Sequence, residues 1–356
     1  MGYGGEFRQG MPQQYPGQMP RQYPGQYPGQ YPGQMPQRNG FPPNGGPVQQ
    51  PMSTQSISAT LTEMEMLRKK INTRNILFAV GLGGLMVVMF MISMSRGNKS
   101  SVIYKMAPLI PIIFIGFGIV FFIAMKGSNG PGKRLKMLYK ETFVRQLLNQ
   151  HFQDVYYNWE QGMDQNLIKN SGICRLGNRY HSEDYLNAVY RGIRFQQADV
   201  TIQYHTSSGR SSHTTTYFQG RMFCFEYPSK RSYAVQVHSK NFIYAGEPAS
   251  GIRREKLKME SVDFNKEFTV RALSGHDAFY ILTPQMMERL RALRTKYGSI
   301  TLVFDHGYVM VGLNSKMDSF DANLSKPIDY QTEMMRMRAD VAVIEELIQL
   351  LNCIPA

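Results

Sequence analysis

Cysteine is scarce in this 356-residue chain, and Cys174, Cys224 and Cys353 share no short spacing. Three scattered thiols exclude a disulfide-stapled scaffold, and no CxxC zinc or redox pair can be written. Acidic residues are also few, with 26 Asp+Glu against 40 Lys+Arg and a formal charge of +14. Charged residues of both signs amount to 19%, too low for a disordered polyelectrolyte. Missing as well are a GxSxG elbow, a GxxxxGK[ST] loop, an HExxH pair and a GxGxxG turn after a strand. Their absence removes the usual signatures of serine hydrolases, P-loop enzymes, zinc proteases and dinucleotide-binding domains.

What is present is unevenly spread. Residues 1–125 carry a net +7, residues 126–150 a net +5, and residues 151–356 only +2. A basic chain can serve nucleic acid or a membrane surface. A duplex binder concentrates its cations on the globular part, and here that part is nearly neutral. The run Arg253-Arg254-Glu255-Lys256-Leu257-Lys258 reads as a solvated face, so no nucleic-acid partner is expected.

Residues 1–52 form a Gln/Tyr/Pro/Gly-rich, low-complexity segment. The unit Tyr-Pro-Gly-Gln begins at Tyr15, Tyr23, Tyr27 and Tyr31, and Glu6 is the sole acid. Frequent proline removes backbone donors and forbids helix, so the segment is expected to be a disordered, partly polyproline-II tail. It can act as a solvated spacer, or its tyrosines can make weak multivalent contacts with aromatic-lined grooves.

Residues 53–75 read as an amphipathic helix, with Leu61, Met64, Leu67 and Ile71 on one face. Two charge-free runs follow, 19 residues over 76–94 and 20 over 106–125. At 1.5 Å per residue each reaches about 28–30 Å, the thickness of a hydrocarbon core, and they are expected to be transmembrane helices. Arg68, Lys69, Lys70 and Arg74 flank the first, while Lys126, Lys133, Arg134 and Lys136 follow the second. The short loop 95–105 holds fewer cations than the later flank and should face outward, leaving both termini cytoplasmic. Ala79, Gly83 and Gly84 in the first run, with Gly116 and Gly118 in the second, mark candidate helix-packing faces and allow self-association. Neither run contains an ionisable residue, which argues against transport.

A basic helix is expected over 126–151, its cations available to lipid head groups. Residues 152–353 then read as an α+β domain built mostly on antiparallel sheet with packed helices. The expected strands are Ile193–Tyr204, Thr214–Phe218, Met222–Tyr227, Ser232–His238, Phe268–Leu273, Ser299–Phe304 and Tyr308–Leu313. Gly220-Arg221 would separate the second from the third. Thr283-Pro284 opens a helix to about Tyr297. A last helix, about Tyr330–Leu351, carries a Met334, Met337, Val341, Ile344, Ile348 stripe that covers a sheet or forms a coiled-coil seam.

The stretches Tyr180–Tyr185, Phe195–Val200, Tyr217–Glu226, Asp263–Phe268 and Tyr280–Leu290, with the Ile300–Leu313 hairpin, resemble the bacterial domain of unknown function 3137 family. The resemblance implies two transmembrane helices ahead of a cytoplasmic domain, hence an inner (plasma) membrane location, and implies no activity or cofactor.

The catalytic candidates are few. His181, Glu183 and Asp184 bring an imidazole near two carboxylates, a weak acid–base cluster. His276-Asp277 and Asp305-His306 are adjacent pairs, the latter suited to a turn. None has metal-ligand spacing, so no metal or cofactor is expected. Three functions remain. The preferred one is a two-span membrane protein presenting a protein-interaction or scaffolding domain. The others are a membrane-anchored enzyme using His181, Glu183 and Asp184, and an oligomeric pore or transporter subunit.

Overall fold

The computed structural model describes residues 54–95 and 129–352, apart from 210, 228–233, 252, 306, 317–318 and 324–325, and leaves the side chains of 54, 55, 85, 88, 91–95 and 129 undescribed. The expected tail (1–52), loop (95–105) and second apolar run (106–125) therefore lie outside the described residues, except for Ser95. So do Lys126, Gly116, Gly118 and Cys353.

Helix α1, Thr54–Ser95, runs unbroken for 42 residues, about 63 Å at 1.5 Å per residue. The amphipathic stretch and the first apolar run are thus one helix. Its first half packs Met64 and Ile71 into the core beside Leu135 of helix α2, Asn129–Tyr139. The chain then passes through a π-helical turn, Lys140–Arg145, into α3, Gln146–His151. One helix-like rod thus fills 129–151, widened by a π turn at its middle.

The strands are β1 (Gln153–Asn158), β2 (Arg179–Tyr190), β3 (Ile193–Ser208), β4 (Ser211–Glu226), β5 (Val235–Ser239), β6 (Glu255–Leu257), β7 (Phe268–Ala272), β8 (Ser299–Asp305) and β9 (Tyr308–Asn314). They form one nine-stranded sheet in the order β1-β2-β3-β4-β9-β8-β5-β7-β6. Every pairing is antiparallel. Helices α4 (Gln165–Ser171), α5 (Val262–Glu267), α6 (Gly275–Ile281), α7 (Pro284–Tyr297) and α8 (Tyr330–Leu351) complete the α+β domain.

Strand alternation divides the core in two. Phe223 and Phe225 of β4, Ile300, Leu302 and Phe304 of β8, and Val309 and Val311 of β9 join the larger cluster with α1–α3 and α5–α8. Met222 and Cys224, Val303, and Met310 between them point to the opposite face, with Phe242 and Ile168. That is the period of two that a pleated strand imposes. The α8 stripe Met334, Met337, Val341, Ile344 and Ile348 lies in the larger cluster, so it covers the sheet side and is not a free seam.

Two expectations at the strands change. Gly220 does not separate two strands: β4 runs through it, paired with β3 at Val200. Its φ is +152, and a Cβ there would collide with the Leu313 carbonyl oxygen of β9. The glycine permits close backbone approach within one continuous strand. The connection expected between Tyr204 and Thr214 is also tighter, with pairing continuing to Ser208 and Ser211.

Candidate functional site

Lys140 opens the π turn and is sealed from solvent. Its Nζ lies 2.8 and 2.7 Å from the two carboxylate oxygens of Asp184 and 2.8 Å from Asp321 Oδ1. All three ammonium hydrogens thus have acceptors. Asp184 Oδ1 also accepts from the Tyr157 hydroxyl at 2.6 Å. π-Helical turns concentrate at functional sites because they shift the register of side chains along one helix. Here the turn opens on a fully buried lysine, and its rod neighbours Leu135, Phe143 and Val144 belong to the larger core.

The partner strand is distorted to match. The β2–β3 register slips between Glu183 and Leu186, and Asp184 takes φ +58. A bulge re-aims side chains. Glu183 points outward to Lys136 at 2.6 Å, whereas Asp184 turns inward to Lys140. Burial raises the Asp184 carboxyl above its usual range, against the pull of Lys140 and Tyr157. Burial and the Asp184 charge likewise push the Tyr157 phenol well upward. For Lys136, burial disfavours the ammonium, but Glu183 and the nearby Asp321 and Asp184 hold it above the ordinary value.

The other side of the cluster is the segment Ser319-Phe320-Asp321. Ser319 donates its backbone N–H to Asp199 Oδ2 at 2.6 Å and its hydroxyl to Asp199 Oδ1. Phe320, at φ +58, sits under the Arg221 guanidinium at 5.8 Å and edge-on to Tyr157 at 6.1 Å. Its N–H donates to Asp340, which also pairs with Arg221. Burial pushes Asp199 up to about 7 despite Ser319 and Arg221, with Asp184 adding to the rise. Three successive residues therefore tie β3, β4, α8 and the π turn together. A cavity of about 210 Å³ lies beside them, lined by Leu135, Lys136, Tyr139, Lys140 and Asp321 among others. Tyr139 adds a second tie, its hydroxyl donating to Glu333 at 2.5 Å and accepting from Arg336 at 2.6 Å.

The sequence candidates fall out as follows. Asp184 is at the centre of this cluster. Glu183 is at its outer edge, and His181 is 71% exposed with Nε2 3.7 Å from Glu183 Oε1. His276 is exposed, and His205 bonds Thr214 at 2.9 Å within the β3–β4 hairpin. Among the described residues no group of three or more His, Cys, Asp or Glu could hold a metal. Of the basic flank, Lys69 and Lys70 are exposed and Arg68 pairs with Glu65 at 2.5 Å. Arg74 is half-buried. Lys133 reaches Glu160 at 2.7 Å and Arg134 reaches Glu63 at 2.6 Å. Arg68, Lys133, Arg134 and Lys136 thus engage carboxylates of the chain itself. Arg254, read as solvated, is buried, donating to the Ser171 carbonyl at 3.2 Å near Asp305. Ala79, Gly83 and Gly84 are exposed, and a Cβ at either glycine would meet nothing nearby.

Sequence reasoning missed Lys140, Tyr157, Asp199, Arg221, Ser319, Asp321 and Asp340. Only Lys140 carried a local signal, since it shares a helical face with Phe143 and Val144.

Sheet, rod and buried charge cluster define an α+β domain locked onto a helical stalk. Residues 216–353 match the model of the family described as "Protein of unknown function (DUF3137)". No curated protein and no solved structure matches the chain. The matched segment holds Arg221, Ser319, Asp321 and Asp340. Lys140, Tyr157, Asp184 and Asp199 lie before it, so the cluster joins the family segment to the preceding stalk and strands.

Proposed function

We propose that this protein is an anchored interaction module: α1 fixes the chain in the inner (plasma) membrane, and the α+β domain presents a surface to a protein partner in the cytoplasm. One observation carries the reading. Helix α1 packs on the domain through Met64 and Ile71, then continues with Ile76, Leu77, Val80, Met86, Val87 and Phe90 exposed. A contiguous apolar helix surface in water is unfavourable and marks a membrane or partner contact. No helix is long and apolar enough to cross a membrane among the described residues. The span itself, and its pairing with 106–125 as a hairpin, belongs to the proposal.

The stalk lock supports the same reading. The Lys140–Asp184 pair and the Tyr139–Glu333 bond fix the rod 129–151 against sheet and α8, so the domain would be held at a set angle to its anchor. The test uses the full chain. Carbonate-washed membranes should retain it, and reporters fused at residue 100 and at the C-terminus should report opposite sides. Release by carbonate, or both reporters on one side, would remove the hairpin anchor.

A further inference from the structure

We infer that the Tyr-Pro-Gly-Gln tail docks on a tyrosine ladder at the base of the β3–β4 hairpin of its own chain. Tyr204 and Tyr217 have ring centroids 6.0 Å apart at 3°, and Tyr217 and Tyr244 lie 4.4 Å apart at 24°. The ladder depends on a bulge. Pairing steps from Ile202–Phe218 to Gln203–Thr216, leaving Tyr217 as the extra residue. Odd-numbered neighbours such as Phe223 face the larger core, yet Tyr217 packs with Phe218 and Met222 on the opposite face. The bulge has turned it into line with Tyr204. The Tyr244 carbonyl accepts from Arg175 N–H at 2.8 Å, which fixes the third ring. Beside it Ile243 is 71% exposed, and Tyr204 is 43% exposed.

Among the described residues the hydroxyls of these three tyrosines make no hydrogen bond, whereas those of Tyr139, Tyr157, Tyr180 and Tyr190 all do. The ladder is a surface of parallel rings with free polar tips. Such surfaces recognise proline-rich segments, whose preformed polyproline-II backbone loses little entropy on docking and whose carbonyls accept from phenols.

The tail suits it in length and chemistry. One four-residue repeat in polyproline II covers about 12 Å, the scale of the three rings. The tandem copies at Tyr23, Tyr27 and Tyr31 offer three equivalent registers. The repeats carry no charge, and residues 203–216 carry only Arg210. The 21 residues from Gln34 to Thr54 join the last repeat to the start of α1. A contact within one chain is intramolecular and can form even when it is weak. The contact needs tail and domain on one side of any membrane and otherwise does not depend on the anchor.

The experiment places p-benzoylphenylalanine at Tyr27 in the full chain and maps photo-crosslinks by mass spectrometry, using mixed heavy- and light-isotope chains. Within-chain crosslinks should centre on 202–204, 215–218 and 242–245. Their yield should fall at least fivefold in Tyr204→Ser, an exposed ladder site. It should fall similarly when Tyr23 and Tyr31 become Ser, changes in the tail that leave the domain sequence untouched. Crosslinks elsewhere in the domain, only between heavy and light chains, only to lipid, or unchanged by these variants would overturn the docking. Loss of the crosslink with membrane retention intact would leave the anchor standing.

Discussion

Lys140 and Asp184 form a two-oxygen ion pair, 2.8 and 2.7 Å, with both side chains withdrawn from water. Desolvation makes such a pair a poor source of net stability, but breaking it strands the surviving charge. The pair sets which face of the stalk meets the sheet, since a one-residue register change at the π turn would rotate Lys140 away from Asp184.

Lys140→Met should therefore destabilise the chain by about 3–5 kcal/mol, because Asp184 stays buried without its cation. Asp184→Asn, which tolerates the left-handed backbone, should also destabilise. The double variant should cost well below the sum of the two. Urea unfolding followed by Trp159, the sole tryptophan, reads all three. A Lys140→Met loss under about 1 kcal/mol would mean that the charge is relieved elsewhere.

Asp199 gives stability a pH dependence of defined sign. An unfolded aspartate titrates near 3.9, whereas burial pushes the folded one up to about 7. Between those values the folded state keeps a proton that the unfolded state has released. The contribution of Asp199 to stability thus falls as pH rises from about 4 to about 7, and is level above that. Asp199→Asn should flatten this part of the curve, by on the order of 3–4 kcal/mol across the window. The difference between wild type and variant in urea midpoints at pH 4.5, 6 and 8 isolates it. A constant difference would show that Asp199 titrates normally.

Much of the fold was legible where the signals are local. Thr283 caps α7 through Met286 N–H with Pro284 in the first turn, and α8 begins at Tyr330 behind Asp329, which accepts from Thr332. The β8–β9 hairpin followed from alternation around Asp305–Gly307. The cluster was illegible because its members meet only through long-range packing: Lys140 finds Asp184 across 44 positions and Asp199 finds Ser319 across 120. His181, Glu183 and Asp184, neighbours in sequence, part company because a bulge sends Asp184 inward. Ser319-Phe320-Asp321 has the composition of a surface turn, and nothing in it announces burial.

Gly220 tests the close approach of β4 to β9. Its φ of +152 is joined by a clash between any Cβ and the Leu313 carbonyl, so Gly220→Ala should cost about 2–3 kcal/mol. Gly251, at φ +72 in open space, provides the comparison: alanine there bears only the left-handed backbone penalty, about 1 kcal/mol. Equal losses in urea unfolding would show that β4 can shift from β9 without cost.

The buried thiols offer a readout of the sheet's closed face. Cys174 and Cys224 are free and buried. Burial raises both thiols, Cys174 to about 12. Only the thiolate alkylates, so at pH 8 neither should react at a useful rate in the folded chain. Both should label once urea passes the unfolding midpoint, and peptide mapping after iodoacetamide treatment distinguishes them. Protection of the two should be lost together, because Cys174 and Cys224 share one core with Met222 and Phe242. Labelling of Cys174 well before Cys224 would instead mark the segment after α4 as a unit that opens separately from the sheet.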